Sequence, residues 1–293
     1  MNLVHRHIPA GSSCDIDADD LIVDGRPVLL VVRGGGRGCE LRIDGGVTGM
    51  WVPLRGRLQI NGHGDIALLP GQACVTEAAP KQRIVGKGNA IWTAVLGQPA
   101  AWLHVQGRRF DAEAMLLPAV HRVDRIFRRN ALALARSVST GPLQPAFERV
   151  LDDVHSLQLS FRAAIARCPG RTYAQRIQVF LRLQRVRNYL AAHCYLDIDN
   201  DLLARMANYS RFHFIRAFGT VYEETPYAFL INVRLERARQ LLRESPLAIG
   251  EVALASGFGN RHAFARLFRQ RFGTSATAMR RASRVAHGLR PAE

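Results

Sequence analysis

Lysine is almost missing from this sequence. Of its 40 lysine and arginine residues only Lys81 and Lys87 are lysine, so the formal net charge of +16 is carried by arginine. A basic surplus of this size points to a polyanionic partner, either nucleic acid or an anionic membrane surface. Charge alone does not choose between them, since arginine bias also follows from the coding composition of a genome. Cysteine is scarce as well. Cys14, Cys39, Cys74, Cys168 and Cys194 are scattered, odd in number and never spaced as C-x-x-C. That excludes a disulfide framework and a structural zinc site, and makes a reducing cytoplasm the simplest setting. Long apolar runs are also wanting: no window approaches the roughly 18 uninterrupted apolar residues of a membrane span. The opening MNLVHRHIPAGSSCDIDADD has no apolar stretch of a secretion signal. The expectation is no membrane insertion, a cytoplasmic protein, and nucleic acid as the partner.

The 293 residues are 48% hydrophobic and 22% charged, enough for two folded domains with a core each. From about residue 18 to 107 the text is short β-type runs between glycine-rich turns. The clearest are LIVD (21–24), VLLVVR (28–33), CELRID (39–44), GMWVPL (49–54), RLQING (57–62), DIALLP (65–70) and IWTAVL (91–96). Short, evenly spaced strands without helices between them predict an antiparallel sandwich or barrel. Near Phe110 the period changes. DAEAMLLPAVHRVDRIFRRNALALARSVS and LQPAFERVLDDVHSLQLSFRAAIARC read as helices separated at Ser139-Thr140-Gly141-Pro142. After Pro169-Gly170, Val179, Leu183, Val186 and Leu190 mark one helix face. The expected class is α+β and multidomain: strands over 1–108, a helical connector over 109–177, and an all-α domain over 178–293.

The last of these contains a repeat. In LLARMANYSRFHFIRAF (202–218), Ala204, Asn208 and Tyr209 match Ala253, Gly257 and Phe258 at a shift of 49 residues. Phe214, Arg216 and Phe218 match Phe264, Arg266 and Phe268 at a shift of 50. Asn208 and Gly257 are residue types that tolerate the left-handed backbone of a tight interhelical turn. The alanine four residues earlier lets two helices approach closely. Together these mark two helix-turn-helix units, each of which places the start of its second helix in a DNA major groove. From Leu202 to Arg284 there are 14 arginines and no lysine against 5 glutamates, with no other acid. Arginine at the start of a groove helix can bond bidentately to guanine or clamp a phosphate. An arginine-rich solvated face with a chance repeat is the plainer alternative. It does not explain why turn residue, alanine and aromatic anchors recur together. Between the copies, Thr225-Pro226 reads as a helix start, and Ile231, Leu235, Ala238 and Leu242 form one stripe. A helix of about 17 residues spans roughly 25 Å, which sets two readers about one DNA turn apart.

The stretch RLERARQLLRESPLAIGEVALASGFGNRHAFARLFRQRFGTSATAMRR resembles the signature region of the AraC/XylS family of bacterial transcription regulators. The resemblance covers about residues 178 to 285. It implies a double helix-turn-helix domain that binds double-stranded promoter DNA and usually activates transcription, often by contacting RNA polymerase. By position, the family's base-facing residues fall on Phe212, Ile215 and Arg216, with Arg211 beside them, and on Arg261, His262, Ala265 and Arg266. Phe212 and Ile215 are apolar, suited to thymine methyls or to positioning. The family's usual glycine before Ser-Pro is Glu223 here, its first-turn glycine is Asn208, and its late proline and tyrosine are Ala276 and Met279.

GMWVPLRGRLQINGHGDIALLPGQACV (49–75) resembles the cupin-like β-barrel that binds a small effector in many of these regulators and, with the following helices, forms a homodimer. Many cupins are metalloenzymes, so a cupin-type metal-dependent enzyme fused to a DNA-binding domain is the competing reading. It needs clustered His and Glu ligands. His63 and Glu77 stand far apart and His5 and His7 precede the first expected strand, so no metal, cofactor or catalytic residue is expected. Arg33, Arg37, Arg42, Arg55 and Arg57 cluster with Trp51 and suit an anionic effector such as an aromatic acid or a cyclic dinucleotide. The alternative is that these arginines simply face solvent. The connector stripe Val150, Leu151, Val154, Leu157 and Phe161 can bury against the barrel or pair with a second chain, and the resemblance favours pairing.

Overall fold

Residues 3–62, 66–102 and 116–286 are described by the structure, a computed structural model. Contacts divide the chain into two units, Met1–Ala166 and Arg167–Glu293. The expected boundary at 108 lies outside the described residues, and the one at 177 falls within a helix.

Two long strands build the first unit, β6 (Glu40–Asn61) and β8 (Gln72–Gly97). Each belongs to two places in the sheet. Leu41 lies beside Ile84, Met50 beside both Val95 and Val75, and Ile60 again beside Ile84. Such strands must bend, and glycines with positive φ supply the bends. At Gly56 (φ +71°) a Cβ would come within 2.8 Å of the Ala90 backbone, so no larger residue fits. The fragments CELRID, GMWVPL and RLQING are therefore one strand.

β5 (Leu29–Gly35) pairs antiparallel with β8. β1 (Leu3–Ile8) runs parallel to β5, and β2 (Ser13–Ile16) parallel to β6. β3 (Ile22–Val23) and β4 (Arg26–Pro27) form a small hairpin, β7 (Ile66–Leu68) pairs with β6, and β9 (Ala119–Arg122) pairs with β8. The strand order β1-β5-β8-β6-β2 is an open path. The expected closed antiparallel barrel is thus corrected to an open sheet with two parallel pairs, because β1 and β2 end the path without meeting. His5 and His7 lie on β1 rather than before the first strand. The stretch expected to be helical from Phe110 holds β9 instead before its first described helix, because 119–122 complete the β8 edge.

Strand alternation separates two cores. Leu30, Val32, Trp51, Trp92 and Leu96 meet in one apolar cluster. Leu29, Val31, Met50, Val52 and Val95 form the other, beneath α1 (Arg125–Thr140) and α2 (Leu143–Gln158). Asp124 caps α1 by accepting from the Phe127 amide at 2.8 Å. Val150, Leu151 and Val154 are buried against the sheet, and Leu157 packs at the margin. Phe161, on α3 (Ser160–Arg167), meets the His121 ring at 5.4 Å. The connector stripe is therefore spent within its own chain. Each such residue contributes about 1.5–3 kcal/mol by burial.

In the second unit α4 (Tyr173–Ala192) starts with a capping box between Thr172 and Gln175. Then come α5 (Asn200–Met206), α6 (Arg211–Tyr222), α7 (Pro226–Glu244), α8 (Ile249–Ala255), α9 (Arg261–Phe272) and α10 (Ala276–Ala286). The repeat seen in the sequence is repeated in space: α5 and α8 have 7 residues each, and α6 and α9 have 12 each. Thr225 accepts from the Ala228 amide at 3.1 Å, with Pro226 at the first helical position of α7. No helix among the described residues is long and apolar enough to cross a membrane.

Helices α6 and α9 both end in a left-handed residue, α6 in Glu223 at φ 58° and α9 in Gly273 at φ 70°. Glutamate there carries a backbone cost of about 1–2 kcal/mol that glycine avoids. Its partner, Arg167 at 3.5 Å, is a solvent-facing pair that returns little. Glu223→Gly is expected to stabilise the protein by about 1 kcal/mol, read as a higher urea midpoint at unchanged slope. A lower midpoint would mean that the Arg167 pair outweighs the strain.

Candidate nucleic-acid interface

The two turns position everything that follows. Asn208 (φ 56°) and Gly257 (φ 89°) are both left-handed. The alanines four residues before them, Ala204 and Ala253, are both buried, and their carbonyls accept from the Tyr209 and Phe258 amides at 2.9 and 3.0 Å. At Gly257 a Cβ would stand 2.6 Å from the Cys194 carbonyl oxygen and 2.8 Å from Arg234 Nε. Those two atoms are themselves hydrogen-bonded at 2.6 Å, tying α7 to the end of α4. Glycine is thus required where the second turn presses on that bond.

One face of each second helix is aromatic. Phe264 and Phe268 are buried and their rings meet at an angle, centres 5.4 Å apart, with Phe258 and Phe272 continuing the row at 5.2 and 4.7 Å. In α6, Phe214 and Phe218 do the same at 5.8 Å. The opposite face is left to solvent. Arg211, Phe212 and Arg216 are exposed and Ile215 half-buried in α6, while Arg261, His262, Ala265 and Arg266 are exposed in α9. Asn260 fixes the start of α9 by accepting from the His262 and Ala263 amides at 2.9 and 3.0 Å. Arg211 pairs with Asp201 at 3.8 Å. Among the described residues no ion pair engages Arg216, Arg261 or Arg266. Each second helix is therefore anchored by phenylalanines and presents unneutralised arginine, Arg216 in α6 and Arg261 and Arg266 in α9, and at the start of α9 helix backbone amides also favour phosphate.

Other arginines of this unit serve the fold. Arg234 donates to the Cys194 and Leu196 carbonyls, Arg237 to Ala255, Arg167 to Val221 and Arg280 to Leu247. Arg187 lies 4.7 Å from both the Tyr222 and Phe229 ring centres. The Tyr222 hydroxyl donates to Gln184 at 2.9 Å, and burial pushes its phenol well above the usual range. Reading the surplus as groove contacts missed these structural arginines. Their carbonyl partners lie 18 to 54 residues away, so no local pattern marks them.

The residues singled out in the first unit do not gather around one cavity. Trp51 is fully buried, and its indole donates to Thr76 Oγ1 at 3.1 Å. Arg33 donates to Ser139, while Arg37, Arg55 and Arg57 are exposed. Arg42 lines an open cleft of about 610 Å³ together with Asp15, Asp17, Asp20, Lys81 and Arg83. Arg83 and Arg42 both grip Glu40, holding its carboxyl down at about 2. His63 lies outside the described residues. Among those described, no three His, Cys, Asp or Glu side chains gather where they could hold a metal ion.

A family described as a helix-turn-helix domain matches residues 203–282. The MmsAB operon regulatory protein of Pseudomonas aeruginosa is 26% identical over 78% of this chain and 69% of its own length. The regulator CdhR of the same organism is 32% identical over 41% of this chain and 38% of its own length. Among solved structures, the DNA-binding domain of AdpA, a global transcriptional factor in complex with a target DNA, is 31% identical. It matches 37% of this chain and 98% of its own, with a TM-score of 0.35.

Proposed function

This chain belongs, through its C-terminal domain, to the AraC/XylS family, and from that premise we propose that it reads a specific promoter sequence through α6 and α9. It is a DNA-binding transcription regulator of the AraC type. The observation that carries the proposed contacts is the pairing of two equal helices, each anchored by phenylalanines and each exposing arginine with no acid in its first turn. α7, with 19 residues, is about 28 Å long, which suits two readers in successive major grooves.

The finer parts of the proposal rest on the family resemblance. They are activation through RNA polymerase, pairing of two chains, and a cupin-like first unit that takes a small anionic effector. The ion pairs of Arg42 and Arg83 with Glu40 offset part of the positive charge such an effector would meet. The resulting regulation would be a coupling between two sites of about 1–3 kcal/mol.

The test is selection of duplexes by the full chain from a random library. A consensus should emerge, and affinity for it should fall steeply as salt rises, because arginine–phosphate contacts release counterions. No enrichment together with a flat salt response would remove the proposal.

A further inference from the structure

We propose that the DNA site of this chain is chemically lopsided, with thymine methyl groups read by α6 and guanine edges by α9. The inference rests on the DNA-binding reading above and adds the base chemistry of each half. The two helices correspond residue by residue at a shift of 50, so Arg211 answers to Arg261, Phe212 to His262, Ile215 to Ala265 and Arg216 to Arg266. The outer arginines are shared. His213 also stands against Ala263, and Arg211, unlike Arg261, is paired with Asp201, but the change from apolar to polar chemistry on the exposed face falls on the middle pair.

In α6 that pair is apolar. Phe212 is 71% exposed, the largest exposure among the big apolar side chains described, and Ile215 lies one turn on. Phe212 is not a displaced core residue, because Phe214 and Phe218 already fill the buried face. Its ring meets the His213 ring edge-on at 6.0 Å. A phenyl ring and a sec-butyl group offer no hydrogen bonds. On the floor of a major groove the C5 methyl of thymine is the group that complements them. An exposed aromatic ring between two arginines is poorly placed for an apolar protein partner, since docking there would desolvate both guanidiniums.

In α9 the same places hold a histidine and a methyl. His262 can donate from a ring nitrogen to a guanine acceptor, and Ala265 keeps the helix surface low enough for Arg261 and Arg266 to reach base edges. The Asn260 cap holds that first turn in place. Arg261 also packs beside Gly250, where a Cβ would come within 3.2 Å of its guanidinium carbon. This half is therefore built for donors rather than for apolar contact.

The test uses the full chain and its selected duplex. Each thymine is replaced singly by deoxyuridine, which removes the methyl and leaves base pairing intact. In one half-site, each contacted thymine should cost about fourfold in affinity, the worth of one buried methyl. The other half-site should be insensitive. Phe212→Ala, at an exposed position where folding is not at stake, should abolish the penalty, and a thermal melt verifies the fold. A selected site indifferent to deoxyuridine overturns the inference while leaving sequence-specific binding intact. So does an equal penalty in both halves, or one that survives Phe212→Ala. Failure to select any sequence removes the DNA-binding reading itself.

Discussion

Arg266→Ala is expected to weaken binding to the specific site by about 1–3 kcal/mol and to relax base preference at one position. The reason lies in how α9 is held. Phe264 and Phe268 face the core, so Arg266, between them in sequence and midway along the helix, must project from the opposite side. No acid neutralises it among the described residues, and its guanidinium is free to fork onto guanine. Arg269 is also exposed but lies in the last turn, where a cation chiefly complements the helix dipole. Arg269→Ala should change affinity for all sequences alike or not at all. Both variants are to be measured against a library of single-base changes in the site. Two identical profiles would show that the faces of α9 are assigned wrongly.

Gly257→Ala is expected to destabilise the second unit by about 2–5 kcal/mol, combining left-handed backbone strain with overpacking against a neighbour. The neighbour cannot easily yield. It is the Cys194 carbonyl, 2.6 Å from the added Cβ and already bonded to Arg234. Displacing it loosens α7 from α4 and tilts the second reader, so specific DNA binding should fall with stability. The first turn offers the control. Asn208 is exposed, and asparagine, unlike glutamate, tolerates the left-handed backbone well, so Asn208→Gly should leave both properties nearly unchanged. Thermal unfolding of the full chain gives the comparison. A Gly257→Ala protein that melts with the wild type would show that the turn relaxes at no cost, and the close approach would lose its meaning.

The sequence by itself determined the second unit almost completely. Helices depend on contacts three and four residues away, so alanine, left-handed turn residue and phenylalanine anchors spell out each reader locally. The shifts of 49 and 50 residues reappear as helices of equal length. The exposed face of each followed from the buried one. Even the departures at Asn208 and Glu223 were legible, since both stand where the backbone is left-handed.

Tertiary structure alone decided the rest, wherever partners are distant in sequence. That β6 and β8 each cross between two parts of the sheet depends on pairings such as Leu41 with Ile84 and Ile60 with Ile84, which no short window contains. The parallel seating of β1 on β5 is of the same kind. The stripe on α2 could have met a second chain as well as a sheet, because periodicity shows that a face is buried and not what buries it. Arginine was the least legible residue. Arg234 and Arg266 look alike in the sequence, yet one closes a carbonyl 40 residues away while the other faces solvent. A guanidinium goes to whatever acceptor the fold brings within reach, and that acceptor is set by packing rather than by its neighbours in the chain.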